Sequence, residues 1–156
     1  MYVLTNKQMR EADAYTIQTL GTPSLLLMER AGLALADEAE KLAPSGKITC
    51  VCGGGNNGGD GLVAARRLQD AGVEVIAVLA EGEPATWDAM ANYLLVKKLG
   101  LPVVDLSKAE FDPEQAEFMR LAELSVDAVC GTAVKGDLRG GAATAMGWRH
   151  HGQGVR

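Results

Sequence analysis

The sequence predicts an α/β protein with a three-layer, doubly wound, mostly parallel sheet and two helices at its N-terminus. From residue 47 onward, short β-prone runs alternate with longer segments of helical periodicity, as expected for strands joined by crossover helices. A glycine-rich segment at residues 53–61 separates a strand pattern from a helix pattern. The 156 residues suit one domain that can bury its own core.

The first predicted helix begins at a capping box. Thr5 is followed three residues later by Gln8, and the two side chains can bond each other's backbone N–H groups. Gly21 is expected to end this helix. Its apolar residues, expected to face the core, are Met9, Ala12, Ile17 and Leu20.

A second, longer helix is predicted from Leu25 to about Leu42. Pro23 precedes it in a position where proline favours helix initiation. Glu29 and Arg30 interrupt the apolar pattern, and a solvated pair is favoured over a place at a ligand mouth. The residues expected on the apolar face are Leu26, Leu27, Ala31, Leu35 and Ala39.

The rest of the chain predicts four strands, at residues 48–52, 73–79, 102–106 and 126–130, with helices near 61–71, 85–99 and 113–123 between them. Right-handed crossovers then give a Rossmann-like parallel sheet. In the common doubly wound strand order, the first and fourth strands are neighbours where the order reverses. The segments that follow these two strands are therefore expected to meet.

The segment after the first strand reads Gly53-Gly-Gly-Asn-Asn-Gly-Gly-Asp-Gly61. It satisfies G-x-G-x-x-G, whose glycines let backbone N–H groups approach a pyrophosphate, although this match alone is weak. Asn56 and Asn57 add amide donors and acceptors. Asp60 either favours the helix dipole or bonds a ligand, and a plain strand-to-helix turn is the alternative explanation of the whole segment.

Asp127 lies inside the fourth predicted strand, where a lone charge is costly without a partner. A hydrogen bond to neighbouring backbone would satisfy it. An ion or ligand role is favoured, because the strand leads into a second glycine-containing loop at residues 131–140.

Composition excludes several classes of function. A net charge of -5, a pI near 5.0 and 4% aromatic residues argue against nucleic acid as a partner. The N-terminus lacks the pattern of a secretory signal, and no apolar run is long enough to span a membrane. A cytoplasmic location without membrane association is expected.

The chain has three cysteines, an odd number that does not make a disulfide framework. Cys50 and Cys52 share a face of the first predicted strand, so they are expected to be small core residues beside Cys130. A reactive thiol is the alternative.

Four segments resemble the YjeF N-terminal domain family, the NAD(P)H-hydrate epimerases, and together they run along most of the chain. They are Gln8-Met-Arg-Glu-Ala-Asp13, Gly21-Thr-Pro-Ser-Leu-Leu-Leu-Met-Glu-Arg-Ala-Gly32, Gly53-Gly-Gly-Asn-Asn-Gly-Gly-Asp-Gly-Leu-Val-Ala-Ala-Arg66 and Val126-Asp-Ala-Val-Cys-Gly-Thr132.

The resemblance implies an isomerase of metabolite repair that interconverts the R and S forms of hydrated NADH or NADPH. It implies a potassium ion held by Asn57 and Asp127, and an ATP- or ADP-dependent NAD(P)H-hydrate dehydratase as functional partner. Asp60 and Asp127 are the candidates for proton transfer. The substrate-binding residues that it implies are Asn56, Asn57, Gly58, Gly59, Asp60, Gly131, Thr132, Ala133, Val134, Lys135, Gly136 and Asp137.

The chain departs from the family pattern after Arg139, where nothing corresponds to an Asp-Ile-Pro-Ser-Gly-like segment. The expected domain is therefore residues 1–146, incomplete at its C-terminus, followed by a disordered tail at 147–156. An uncovered sheet edge favours association, so a homodimer is one expected assembly. His150 and His151 are interpreted as a solvated end and not as a metal pair.

Two other functions compete with the epimerase. A non-catalytic nucleotide-binding or protein-interaction module is the first, since the fold of the family resembled also serves in eukaryotic RNA-decapping scaffolds and lipoprotein-associated partners. The second is the NAD-binding domain of a dehydrogenase, which is weaker because no catalytic His or Lys accompanies the glycine segment. Glu81 is the candidate ribose-binding acid of such a domain, and it is expected to be exposed in a turn.

Overall fold

The protein is a four-stranded, all-parallel α/β fold in a computed structural model that describes residues 3–108 and 112–131. The strand order is β3-β2-β1-β4. This confirms the predicted fold class. The helices are α1 (Asn6–Gln18), α2 (Ser24–Leu42), α3 (Asn56–Asp70), α4 (Trp87–Lys98) and α5 (Pro113–Leu121), and the strands are β1 (Ile48–Cys52), β2 (Val75–Leu79), β3 (Val103–Asp105) and β4 (Leu124–Ala128).

Helices cover both faces of the sheet. On one face, Ile48, Cys50 and Cys52 of β1 pack in a core that also holds residues of α2, α3 and α4. On the other face, Val51 packs in a second core against which Phe118 of α5 is placed. Every residue of β1 is therefore buried, as expected for a central parallel strand.

The strand order reverses between β1 and β4. The chain moves outward from β1 through β2 to β3, and then α5 carries it back to the other side of β1. In the parallel pairing of β1 with β4, Val51 lies opposite Asp127 and Cys52 opposite Ala128. Both strands end at the same edge of the sheet, here called the carboxyl edge, where doubly wound proteins bind ligands.

The capping box of α1 is confirmed, but its predicted burial is wrong. The Thr5 hydroxyl accepts from the Gln8 N–H at 3.3 Å, and the Gln8 side chain accepts from the Thr5 N–H at 2.9 Å. Nevertheless α1 has no buried residue, and Met9 and Leu20 are 48% and 62% exposed. The spacing of apolar residues defines a helix face, but it does not say whether another element covers that face.

In α2, small residues face α3 at close range. A Cβ on Gly32 would lie 2.4 Å from the Val63 Cβ, so only glycine allows this approach. The predicted apolar face is therefore partly wrong, because Leu26 is exposed while Gly32 is buried. Glu29 does not form the expected solvated pair with Arg30. Its carboxylate instead accepts from the half-buried Arg66 of α3 at 2.5 Å.

Several element boundaries differ from the prediction, and those of α3 and β4 bear on the site. Helix α3 begins at Asn56 and not near residue 61, and β4 ends at Ala128 and not at Cys130. The low helix propensity of glycine favoured a loop over the first part of α3. Tertiary packing of these glycines against other elements overrides that preference.

The cysteines fall into two groups. Cys50 and Cys52 are buried as predicted, and desolvation raises the pKa of the Cys50 thiol to about 12. Cys130 is exposed, so its predicted place in the core is wrong. It follows the end of β4 and thus leaves the sheet.

No helix in the described part of the chain is long and apolar enough to cross a membrane.

Candidate functional site

The segments that follow β1 and β4 touch at the carboxyl edge. The Gly53 N–H donates to the Ala128 carbonyl at 3.0 Å. A Cβ on Gly53 would lie 2.1 Å from the Val129 carbonyl oxygen, so the two backbones meet with no room for a side chain. The predicted convergence of the two segments is confirmed.

Several glycines of the segment serve packing inside the protein. A Cβ on Gly58 would lie 1.8 Å from the Gly53 carbonyl oxygen, and one on Gly61 would lie 2.6 Å from the Ala128 Cβ. A Cβ on Gly59 would lie 2.6 Å from the Met28 sulfur of α2. These contacts hold the start of α3 tightly against β1, β4 and α2.

No internal contact requires glycine at Gly54 and Gly55. A Cβ on Gly55 would meet no atom within 4 Å, and one on Gly54 would meet only the Glu81 carboxylate, at an ordinary 3.6 Å. Neither residue has a positive φ. The packing of the described residues therefore does not require glycine here, whereas the close approach of an external ligand would.

The Asn57 side chain lies next to Gly131, so the start of α3 meets the segment after β4. Asn56 and Asn57 are the first two residues of α3, and Gly55 before them provides no side-chain cap. A Cβ on Gly131 would lie 3.6 Å from the Asn57 Cβ and 3.9 Å from its Oδ1. The N-terminal N–H groups of a helix and its dipole favour an anionic ligand, so this corner can receive a phosphate.

Asp60 is half-buried in the second turn of α3. Desolvation and, to a smaller extent, the negative charge of Asp13 in α1 together raise its pKa to about 6. An acid with this pKa exchanges protons near neutral pH, as a general acid or base requires. Because Asp60 lies beyond the first turn of α3, stabilisation of the helix dipole explains its presence less well.

Asp127 lies at the end of β4 and is exposed, so the predicted cost of a buried lone charge does not arise. Its Oδ1 accepts from the Val129 N–H at 3.1 Å, which is the backbone hydrogen bond considered as the alternative. The pKa of the Cys130 thiol is raised by partial desolvation and then by the charges of Glu81 and Asp127. Both carboxylates therefore act on the same corner of the carboxyl edge.

The side chains of Asn57 and Asp127 make this corner a source of oxygen donors. Within residues 3–108 and 112–131, no group of three or more His, Cys, Asp or Glu side chains is placed to hold a metal ion. The Asn57 amide and the Asp127 carboxylate instead offer oxygen atoms at one edge of the sheet. Hard, weakly polarising cations prefer such oxygen ligands.

Comparison with protein-family models matches residues 24–152 with a family described as YjeF-related protein N-terminus. The chain belongs to this family. The resemblance stated from the sequence motifs is thereby confirmed. The limits of the domain at residue 146 and of the tail remain predictions.

Two relatives agree with this assignment. A bifunctional NAD(P)H-hydrate repair enzyme Nnr from Pyrobaculum aerophilum is 41% identical over 94% of this chain and 29% of its own length. An NAD(P)H-hydrate epimerase from Rhodopirellula baltica is 35% identical over 88% of this chain and 55% of its own. This chain thus spans less than a third of the first relative and about half of the second.

The crystal structure of yeast ynu0 has the same fold, with a TM-score of 0.80 and 22% identity, over 96% of this chain and 65% of that one.

Some residues implied by the YjeF-related family lie outside the described part of the chain. Gly131 is the last residue of the second segment that the structure describes. The histidines His150 and His151 are also outside it. The remaining predicted substrate-binding residues outside it are Thr132, Ala133, Val134, Lys135, Gly136 and Asp137.

Three features of the site were not found from the sequence, although Glu81, which takes part in one of them, was named there as a candidate ribose-binding acid. Asp13 acts on Asp60 across two helices, and no local pattern connects them. The Glu81 carboxylate accepts from the Gly54 N–H at 3.4 Å, although Glu81 is exposed as predicted. Trp87, the first residue of α4, is 92% exposed. An indole directly after the loop that follows β2 was the available signal.

Proposed function

We propose that this chain is an NAD(P)H-hydrate epimerase that interconverts the R and S forms of hydrated NADH and NADPH. The names of its relatives support a role in NAD(P)H-hydrate repair. The observation that carries the proposal is the meeting of Asn57 with Gly131 at the carboxyl edge, with Asp60 and Asp127 on the two elements that meet. This arrangement supports a ligand site with acids beside it.

Proton transfer is the chemistry that these acids provide. Inversion at the hydroxyl-bearing ring carbon requires its C–O bond to break and to form again on the other face. A protonated carboxyl donates a proton to the departing hydroxyl, which leaves as water, and the carboxylate takes a proton back when water returns. The sum is an isomerisation without redox change. Asp60, with a pKa near 6, is the acid that we propose for this role.

The remaining residues of the corner bind and orient the substrate. The amides of Asn56 and Asn57 and the backbone of Gly58 and Gly59 line the start of α3, where a phosphate group is favoured. Asn57 and Asp127 would hold the potassium ion. When bound, the ion supplies a positive charge that offsets the carboxylates next to an anionic nucleotide.

The product of the reaction needs a second enzyme to become NADH or NADPH again. A dehydratase that removes water from one epimer is the functional partner that we propose, and a relative named as a bifunctional repair enzyme supports this pairing. The cytoplasm, where the reduced cofactors are used, is the proposed location.

The test couples the protein to a dehydratase that accepts only the S form. R-hydrated NADH is supplied, and the return of NADH is followed at 340 nm with potassium or with sodium as the only alkali cation. The proposal predicts NADH return well above the spontaneous rate, and faster in potassium. Asp60→Asn should lower the rate about 10²-fold or more, as expected when a general acid is lost.

The matched control is Asp70→Asn, which removes an exposed carboxylate at the other end of α3 and should keep the wild-type rate. Folded wild-type protein that leaves the spontaneous rate unchanged would overturn the proposed function. It would favour the non-catalytic module instead.

A further inference from the structure

The loop between β2 and α4 is fixed to the glycine segment and lies at the same carboxyl edge. The Ala85 N–H donates to the Gly54 carbonyl at 2.8 Å. The Tyr93 hydroxyl donates to the Glu83 carboxylate at 3.1 Å, which ties the loop to the body of α4. Because β1 and β2 are parallel neighbours, the starts of α3 and α4 lie side by side.

Glu81 occupies the position from which an acid reaches a nucleotide ribose. It comes two residues after β2 and twenty residues beyond Gly61. In parallel α/β folds that bind dinucleotides, an acid at this place accepts from the ribose 2′-hydroxyl. Here the carboxylate is exposed and its Oε2 accepts from the Gly54 N–H, so it is directed towards the glycine segment.

Trp87, six residues after this carboxylate in the chain, presents an open aromatic surface. It begins α4 and is 92% exposed, although indole is among the side chains that gain most from burial. A nucleobase can stack on an indole without base-specific hydrogen bonds. Gly54 and Gly55, which no internal packing requires, lie between the α3 N-terminus and Glu81 and leave room for the connecting phosphates.

We infer that the adenosine half of the hydrated dinucleotide binds across the end of β2, with its ribose 2′-hydroxyl on Glu81 and its adenine against Trp87. This inference rests on the proposed function and adds a specificity to it. NADPH carries a 2′-phosphate where NADH has the hydroxyl, and a dianionic phosphate is repelled by a carboxylate at contact distance. The chain therefore prefers hydrated NADH to hydrated NADPH.

The test uses ligands that lack the nicotinamide ring, so it does not depend on epimerase activity. ADP-ribose and 2′-phospho-ADP-ribose are titrated into a Trp148→Phe variant, in which Trp87 is the remaining tryptophan. Binding of ADP-ribose should change the Trp87 fluorescence. The dissociation constant of the 2′-phosphorylated ligand should be at least about 10-fold higher than that of ADP-ribose. This ratio should be smaller at high salt, because screening weakens the repulsion.

Two variants separate the proposed contacts. Glu81→Gln removes the charge and should reduce the preference to about 3-fold or less. Trp87→Ala should weaken the binding of both ligands about equally, by roughly 5- to 10-fold, as expected for the loss of one stacking contact. Calorimetry measures the affinities of this variant. The matched controls are Glu83→Gln, in the same loop, and Leu94→Ala, an exposed position on α4, which should both keep the wild-type preference and affinity.

Failure of this inference differs from failure of the proposed function. Equal affinities for the two ligands, no binding of either, or an unchanged preference in Glu81→Gln would overturn it even if epimerisation is observed. Conversely, a selective ADP-ribose site in a protein without epimerase activity would uphold it and overturn the catalytic proposal alone.

Discussion

At the scale of single residues, Asp60 is the group whose surroundings most directly suit its proposed chemistry. The sequence predicts an acid close to the start of a helix, but the size of its pKa shift depends on contacts that are distant in the chain. Asp13 in α1 contributes to that shift, and its charge reaches Asp60 only because the two helices lie near each other. Local patterns therefore identified Asp60 but not its environment.

The raised pKa of Asp60 predicts a pH-dependent gain in stability for Asp60→Asn. The folded-state pKa of about 6 exceeds the ordinary value of 3.8, so the folded protein binds more protons between these values. Wild-type stability is then lost as the pH rises from about 4 to about 6, and the loss persists above that range. A pKa rise from 3.8 to about 6 corresponds to at most about 3 kcal/mol, and partial solvation reduces this to about 1–2 kcal/mol.

Urea unfolding of both proteins at pH 4 and pH 7.5 measures this effect. The free energy of unfolding of Asp60→Asn should exceed that of the wild type by about 1–2 kcal/mol at pH 7.5 and by much less at pH 4. An equal difference at the two pH values would show that ionisation of Asp60 is not responsible.

At the scale of elements, the glycines in and just before the start of α3 have different roles. The sequence shows all of them in one segment, but it cannot separate the glycines required by packing from those that are free to face a ligand. That distinction depends on β1, β4 and α2 approaching from distant parts of the chain. The same reason explains why the capping box predicts the start of α1 correctly, while its burial could not be predicted from spacing.

Alanine substitutions distinguish the two kinds of glycine. In Gly58→Ala the new methyl group would meet the Gly53 carbonyl oxygen at 1.8 Å, so backbone must move, and we expect a loss of about 3 kcal/mol or more in the free energy of unfolding. In Gly54→Ala the nearest atom is the Glu81 carboxylate at 3.6 Å. Its stability should change by less than about 1 kcal/mol, whereas its affinity for ADP-ribose should fall.

Thermal or urea unfolding of the two variants, with ligand titration of Gly54→Ala, checks these expectations. Similar stability losses in both variants would contradict the division into packing and ligand-facing glycines. Unchanged ADP-ribose affinity in Gly54→Ala would contradict a ligand close to that residue.

At the scale of the whole molecule, the alternation of strand and helix patterns was enough to predict the topology. Four β-prone runs joined by helices allow few right-handed arrangements, and the observed order β3-β2-β1-β4 is the common one. This order places the ends of β1 and β4 side by side, which made it possible to predict the position of the site. Side-chain details, such as the bond from Gly54 to Glu81, required the folded structure.

The central claim is that the segments after β1 and β4 form one functional site. The most direct measurement is a double-mutant cycle on epimerase kcat/KM with Asn57→Ala and Asp127→Asn. The control cycle pairs Asn57→Ala with Glu114→Gln, a distant substitution on α5. Residues of one site should be coupled by about 1 kcal/mol or more, so the double variant loses much less than the product of the single losses. Losses that multiply, as expected for the control pair, would contradict a shared site.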